Sequence, residues 1–329
     1  MRLVVRNAGS RWLPAIAIGV ACTSQAAGPA DDPLGWLQRA AASARSANYA
    51  GTFVHTNGDR TATFRITHLN VNGEENERVE PLDGPPLEIV RKNDEMFCRF
   101  PDARTVRLDT RITARFFPSI LRAEPQAVAA SYDVKLGKSE RILGYECQWL
   151  QLMPKDSLRF EQRVCSEAST GLVLRAKTLN AERQVIEQYT FTELRLGPQA
   201  GRAADVRSAF EARERQWRSD KQPREDAKTA DTGWTVTNVP AGFQKLTEIR
   251  RMMPGRAQPV SQIVLSDGLA SVSVFVEPNV APARTDEASS EDGTTTFFSR
   301  PMGDHLVTVL GEVPLATAQQ VGRSVSRRP

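Results

Sequence analysis

"YAGTFVHTNGDRTATFRITHL", residues 49–69, decides how the chain is read. Phe64 and Ile66 lie opposite Thr63, Arg65 and Thr67, a dry face and a wet face at a period of two. "NGD" supplies a tight turn between two such runs, so the stretch predicts an antiparallel hairpin. Upstream the period is helical. Asp32 before Pro33 offers a carboxylate cap with proline in the first turn, Leu34, Leu37 and Ala41 share a face, and Asn48 closes the helix. Downstream, "PLEIVRK", "EMFCRF" and "TVRLD" continue the alternation, separated by "NGEEN", "DGPP", "KND" and "PDA" turns.

"RFFPSILRAEPQAVAASYDV" breaks this pattern and predicts one or two short helices ending at Tyr132. The meander resumes with "YDVKLGKSERILG", "YECQWLQLMP", "SLRFEQRVCSE", "GLVLRAKTLN" and "QVIEQYTFTELRL". The expected fold class is therefore α+β: one large curved antiparallel half-barrel with inner helices, spanning residues 27–197. Residues 198–233 read as a charged linker in which acids and bases are mixed. Val206, Phe210, Arg213 and Trp217 share one face of a helix there, supported by Glu211–Arg215 and Glu214–Arg218 pairs of only ~0.2–0.5 kcal/mol each. Residues 234–325 predict a small antiparallel β domain with one helix. Its hairpin turn is Ser266-Asp267-Gly268, and its helix is expected to start in a capping box at Thr317 and Gln320, with an apolar stripe of Leu315, Ala318, Val321 and Val325. Residues 326–329 read as a frayed tail.

At 329 residues the chain exceeds the roughly 100–200 of one domain, in line with two units. Net charge is +4, but Arg2, Arg6 and Arg11 precede the apolar run Trp12–Ala21 and the small-residue stretch "TSQAAG", the pattern of a cleaved secretory signal peptide over residues 1–26. Cys22 is a weaker rival as a lipoprotein acceptor. The apolar run is about half the ~20 residues of a spanning helix, so no membrane span is expected. The remaining charges form no one-sign stripe, which argues against nucleic acid as a partner. Cleavage leaves Cys98, Cys147 and Cys165 in an oxidising compartment. Cys147 and Cys165 sit on neighbouring predicted strands and are disulfide candidates, with buried thiols as the alternative.

Chemistry is thinly represented. His55, His68 and His305 are isolated in strands, and HExxH, GxSxG, SxxK, P-loop and CxxC patterns are absent, so no cofactor, metal or catalytic residue is expected. Glu77, Glu80, Asp83 and Glu88 are interleaved with Arg78, Arg91 and Lys92, neighbours that keep carboxylates ionised. With Asp83-Gly84 before two prolines, they read as a solvated loop rather than a glycosidase pair. Tyr49, Phe53, Phe64, Ile66, Phe97, Phe116, Phe117, Ile120 and Leu121 fall where sheet and inner helices meet. They form either a filled core or an open apolar cavity for acyl chains, each buried methylene contributing ~0.8 kcal/mol.

"NYAGTFVH", "ERVEPLDGPPLEIVRKNDEMFCRFPD", "PKDSLRFEQRVC" running into "TGLVLRAKTLN", and the C-terminal "GWTVTNVPAGF", "SDGLASVSVFVEP" and "LGEVP" resemble the RseB/MucB family of periplasmic regulators of the sigma-E envelope stress response. The resemblance weakens only from Arg202 to Asp231. It implies a LolA/LolB-like half-barrel, a C-terminal domain that with the linker binds the periplasmic region of an RseA/MucA-type anti-sigma factor and shields it from regulatory proteolysis, release by lipopolysaccharide or mislocalised lipoprotein, and no enzymatic activity. On that basis Phe53, Phe64, Ile66, Phe116, Phe117, Ile120 and Leu121 are candidate acyl-chain contacts, and Phe210, Trp217 and one strand face, Val272, Val274 and Val276 or their alternates, are candidate partner contacts, with buried core as the alternative. A lipoprotein or glycolipid carrier without an anti-sigma partner, and an exported hydrolase, are the alternatives; homo-oligomerisation is left open.

Overall fold

The computed structural model describes residues 32–93, 95–100, 105–109, 117–121, 124–200, 231–253, 256–279 and 285–328. The expected signal peptide, Phe116 and the linker residues Phe210 and Trp217 lie outside them.

Helix α1 (Pro33–Ser46) is capped by Asp32, whose carboxylate accepts from the Leu34 and Gly35 amides at 3.0 Å each. Its buried face is Trp36, Leu37, Ala40 and Ala44; Leu34 is exposed, which corrects the expected stripe by part of a turn. Eleven strands follow as one antiparallel sheet: β1 (Tyr49–Asn57), β2 (Arg60–Val71), β3 (Glu74–Pro81), β4 (Glu88–Lys92), β5 (Glu95–Phe100), β6 (Thr105–Asp109), β7 (Tyr132–Ile142), β8 (Tyr145–Pro154), β9 (Glu161–Glu167), β10 (Val173–Leu179) and β11 (Val185–Leu196).

Their spatial order, β6-β5-β4-β3-β2-β1-β11-β10-β9-β8-β7, consists of two meanders joined where β1 pairs with β11, Tyr49 opposite Leu196 and Asn57 opposite Glu187. A consequence follows from that order. β6 and β7 are the opposite ends of the strand order, so the chain between them joins one edge of the sheet to the other. Its described residues, a turn over Phe117–Ile120 and helix α2 (Pro125–Ser131), lie on the side that carries the buried apolar residues and place Phe117, Leu121 and Val128 in the same core as Leu37, Phe53 and Ile66.

β12 (Trp234–Val236) precedes a six-stranded antiparallel sheet of β13 (Gln244–Arg251), β14 (Val260–Ser266), β15 (Ser271–Pro278), β16 (Ala288–Asp292), β17 (Thr295–Met302) and β18 (His305–Gly311), ordered β13-β14-β15-β18-β17-β16. Helix α3 (Leu315–Arg323) covers one face, its Ala318 and Val321 packed with Val272, Val274, Phe298 and Val309. Two expectations are corrected here. The helix starts at Leu315 without a side-chain cap, because the Thr317 hydroxyl is buried and donates to the Leu158 carbonyl at 2.7 Å instead of capping its own helix. The expected tail is a strand, β19 (Val325–Arg327), paired with β12. Arg328 then fastens it, reaching Asp231 at 2.7 Å and Glu248 at 2.6 Å.

Candidate functional site

The concave face of the large sheet is built by alternation. Phe53 on β1 and Phe64 on β2 are directly opposed, and their rings stack at 5.2 Å. A register shift between Thr52 and Phe53 re-aims β1 against β11, and Gly51 just before it has no room for a side chain, since a Cβ would run into the Glu193 carbonyl. Phe117 comes down from the crossing segment to meet Phe53 at 5.1 Å, Phe191 at 4.9 Å and Tyr189 at 5.4 Å.

Of the expected cavity residues, Phe53, Ile66, Phe117 and Leu121 are buried and Phe64 and Ile120 half-buried, all within one core or packed against it. Such aromatic pairs are worth about 0.5–1.5 kcal/mol beyond burial. The space left beside Ile120, Leu121 and Tyr189 is about 50 Å³. Small-molecule sites run from roughly 300 to 1,000 Å³, so this one has room for a few waters and none for an acyl chain. Tyr189 and Phe191 were not singled out from the sequence, although their alternation in "QVIEQYTFTEL" places them on one face.

A polar edge borders the rings. The Tyr189 hydroxyl donates to Glu187 at 3.1 Å, and His55 stacks on the Tyr189 ring at 4.1 Å while its Nε2 lies 2.9 Å from Glu187. Burial, with the Glu187 and Glu312 carboxylates nearby, pushes the Tyr189 phenol far above its ordinary value, so it stays a donor.

The carboxylates expected in a solvated loop are corrected by the structure. The loop proper is residues 82–87, whereas Glu77 lies on β3 and Glu88 on β4, both buried. Cross-strand register explains how buried charge is tolerated. Glu77 faces Arg91, which reaches Glu75 at 2.7 Å and Glu77 at 3.0 Å, and Arg78 holds Glu88 at 2.6 Å and also pairs with Glu80. Burial opposes the Arg91 charge, but Glu77 and Glu75 outweigh it and raise its pKa. His68, fully buried and stacked on Tyr49, completes the cluster: Nδ1 is 2.6 Å from the Ala47 carbonyl and Nε2 is 3.1 Å from Glu75. Each charged member has an oppositely charged or hydrogen-bonding partner, which is an architectural arrangement. Among the described residues no group of three or more His, Cys, Asp and Glu side chains is placed to hold a metal ion.

Cys147 on β8 and Cys165 on β9 form a disulfide, Cα atoms 5.5 Å apart.

The sequence profile of the MucB/RseB N-terminal domain matches residues 32–217, and that of the MucB/RseB C-terminal domain matches residues 228–326. The chain belongs to the MucB/RseB family. Among curated MucB/RseB proteins, the sigma factor AlgU regulatory protein MucB of Pseudomonas aeruginosa is 30% identical over 308 residues, 90% of this chain and 91% of that protein. The sigma-E factor regulatory protein RseB of Escherichia coli is 23% identical over 291 residues, 88% of this chain and 89% of that protein. The solved MucA/MucB complex of Pseudomonas aeruginosa has a TM-score of 0.72 at 27% identity, covering 91% of this chain and 99% of that one. The crystal structure of MucB has a TM-score of 0.62 at the same identity, covering 89% and 97%.

Within this MucB/RseB fold, the strand face read either as partner contact or as core lies in the core. Val272, Val274 and Val276 are 0–3% exposed beneath α3, so a partner reaches them only by removing the helix. The opposite face of β15 carries half-buried Ser273, Phe275 and Glu277. No helix among the described residues is long and apolar enough to cross a membrane.

Proposed function

We propose that the chain is a periplasmic regulator, freed of residues 1–26 on export, that binds the periplasmic region of an RseA/MucA-type anti-sigma factor and shields it from regulatory proteolysis. The observation that carries this reading is the match to MucB over 91% of the chain in a structure where MucB is held with MucA. The protein works by holding a partner. Its buried carboxylates are engaged by arginines, and its relatives bear the names of regulatory proteins. Partner contact falls to the open face of β15, around Phe275, and to the linker residues Phe210 and Trp217.

Release comes from an amphiphile, lipopolysaccharide or a mislocalised lipoprotein, whose acyl chain parts the rings around Phe53, Phe64, Ile66, Phe117, Ile120 and Leu121. A ligand that binds the free protein better than the complex weakens the complex by the same factor, and roughly 5–150-fold is enough for a switch. The test is calorimetry of the mature chain with a purified periplasmic fragment of the cognate anti-sigma factor, with and without lipid A. Tight binding that weakens in lipid A is expected. No binding in either condition overturns the reading, and equal dissociation constants remove the release step.

A further inference from the structure

The two sheets meet through polar contacts and through Leu269, which packs against the core of the large sheet. Residues 155–160, the loop from β8 to β9, reach across the joint: the Leu158 carbonyl accepts from Thr317, and Arg159 Nε donates to Asp267 Oδ2 at 2.6 Å. The remaining Arg159 nitrogens bond Asp156 and the Ala241 carbonyl, and the guanidinium lies 4.9 Å from the Phe243 ring. Both the Arg159 and Asp267 side chains are 0% exposed. Gly242 lets the backbone pass at φ +84°, where a Cβ would collide with Ser131.

A second contact joins two hairpin tips. The Thr294 amide donates to Asn57 Oδ1 at 2.9 Å, Arg60 pairs with Asp292, and Gly293 lies so close that any side chain would strike Asn57. The cavity of about 50 Å³ also belongs to the joint, with Leu121, Phe160 and Tyr189 on one side and Leu269, Thr294 and Glu312 on the other. The buried Thr294 hydroxyl there has no hydrogen-bond partner among the described residues.

A buried ion pair adds little net stability over apolar packing, yet it is directional, and removing one member leaves an uncompensated charge. The joint therefore favours two arrangements. In one, each of the three Arg159 nitrogens has an acceptor; in the other, both ions are returned to water. Angles in between strand a charge. Domain interfaces that are neither large nor mainly apolar are those across which domains move.

We propose that Arg159 and Asp267 form a latch between the two sheets, and that an apolar chain entering between Leu121 and Leu269 opens it. The latch stands on its own geometry; its opening by an apolar chain rests on the amphiphile reading above. Because the cavity is too small for an acyl chain, entry requires those walls to separate, so entry and unlatching are one event.

The test is single-molecule energy transfer on the mature chain, with dyes on unnatural residues at exposed Val185 and Leu246 so that the native cysteines are untouched. Wild type is expected to show one dominant efficiency. Asp267→Asn keeps an oxygen for the Leu269 and Ala270 amides that Asp267 Oδ1 accepts at 2.8 and 2.7 Å, so its hairpin turn survives while the charge is lost. It and Arg159→Met should raise a second efficiency population about a hundredfold, and palmitoyl lysophosphatidylglycerol should produce the same population in wild type. Near-UV circular dichroism checks that each variant is folded. Should both folded variants keep the wild-type distribution, the latch is overturned. Should both open while the lysolipid leaves wild type unchanged, the coupling is overturned and the latch remains.

Discussion

The six-stranded sheet is covered by one helix, α3, that follows directly on the strand it packs against, whereas among the described residues the eleven-stranded sheet is covered by α1 and by a turn and short helix from the segment joining its two edge strands. Under α3 the fit is closed: a Cβ added at Gly322 would come within 2.6 Å of the Phe298 ring. Over the large sheet the cover is a turn and a short helix held by ring contacts, with a cavity beside it. The difference teaches where change is cheap. A local cover made of helix and valine has one fit, while a crossing segment outside any ladder can shift without breaking strand pairing.

Core truncation tests this most strongly. Phe298→Ala should cost about 3–5 kcal/mol, and Phe117→Ala should fall at the low end of that range because its segment can collapse inward. Urea unfolding followed by probes in each sheet reads both, and two separate transitions are expected. Equal losses would end the contrast.

A smaller effect belongs to the large sheet alone. Replacing Cys147 and Cys165 with serine should lower its stability by about 2–4 kcal/mol while leaving the second transition where it was. A shift of both transitions would show that the sheets unfold as one body.

Acid sharpens the other side of the comparison. Burial opposes ionisation of Glu248, but hydrogen bonds from Lys245, Thr232 and Arg328 outweigh it and hold its pKa down to about 2, from an ordinary 4.5. A carboxylate depressed by folding contributes stability that is complete above 4.5 and is lost as pH falls toward 2. Glu248→Gln should remove up to about 2 kcal/mol at pH 7 and flatten the pH dependence of the second transition in that window. Calorimetry at pH 6 and pH 3 measures it, and parallel slopes for variant and wild type would refute it.

Much of this was legible beforehand, and the misses share a cause. The β1–β2 hairpin announced itself because period two and "NGD" are local, and Asp32 before Pro33 capped α1 as read. Thr317 matched a capping pattern, but its hydroxyl partner, Leu158, is remote in sequence. Alternation marked Val272, Val274 and Val276 as one face without showing that α3 dries it. Glu77 looked solvated because its counter-ion, Arg91, becomes a neighbour only when β3 and β4 are in register. Likewise the last residues appeared free until β12 was there to pair them. Period and turn chemistry are short-range; what neutralises a charge or covers a strand is not.

The seam between β1 and β11 has one more implication. Nearly the whole length of the large sheet separates these partners in sequence, so loop closure must come before their pairing is rewarded, and ordering of this half should be slow. As the chain emerges from its N-terminus, β1 is made first and its permanent neighbour last. Any product cut short before Leu196 carries a long unpaired border in mid-sheet, an open template for a neighbouring chain.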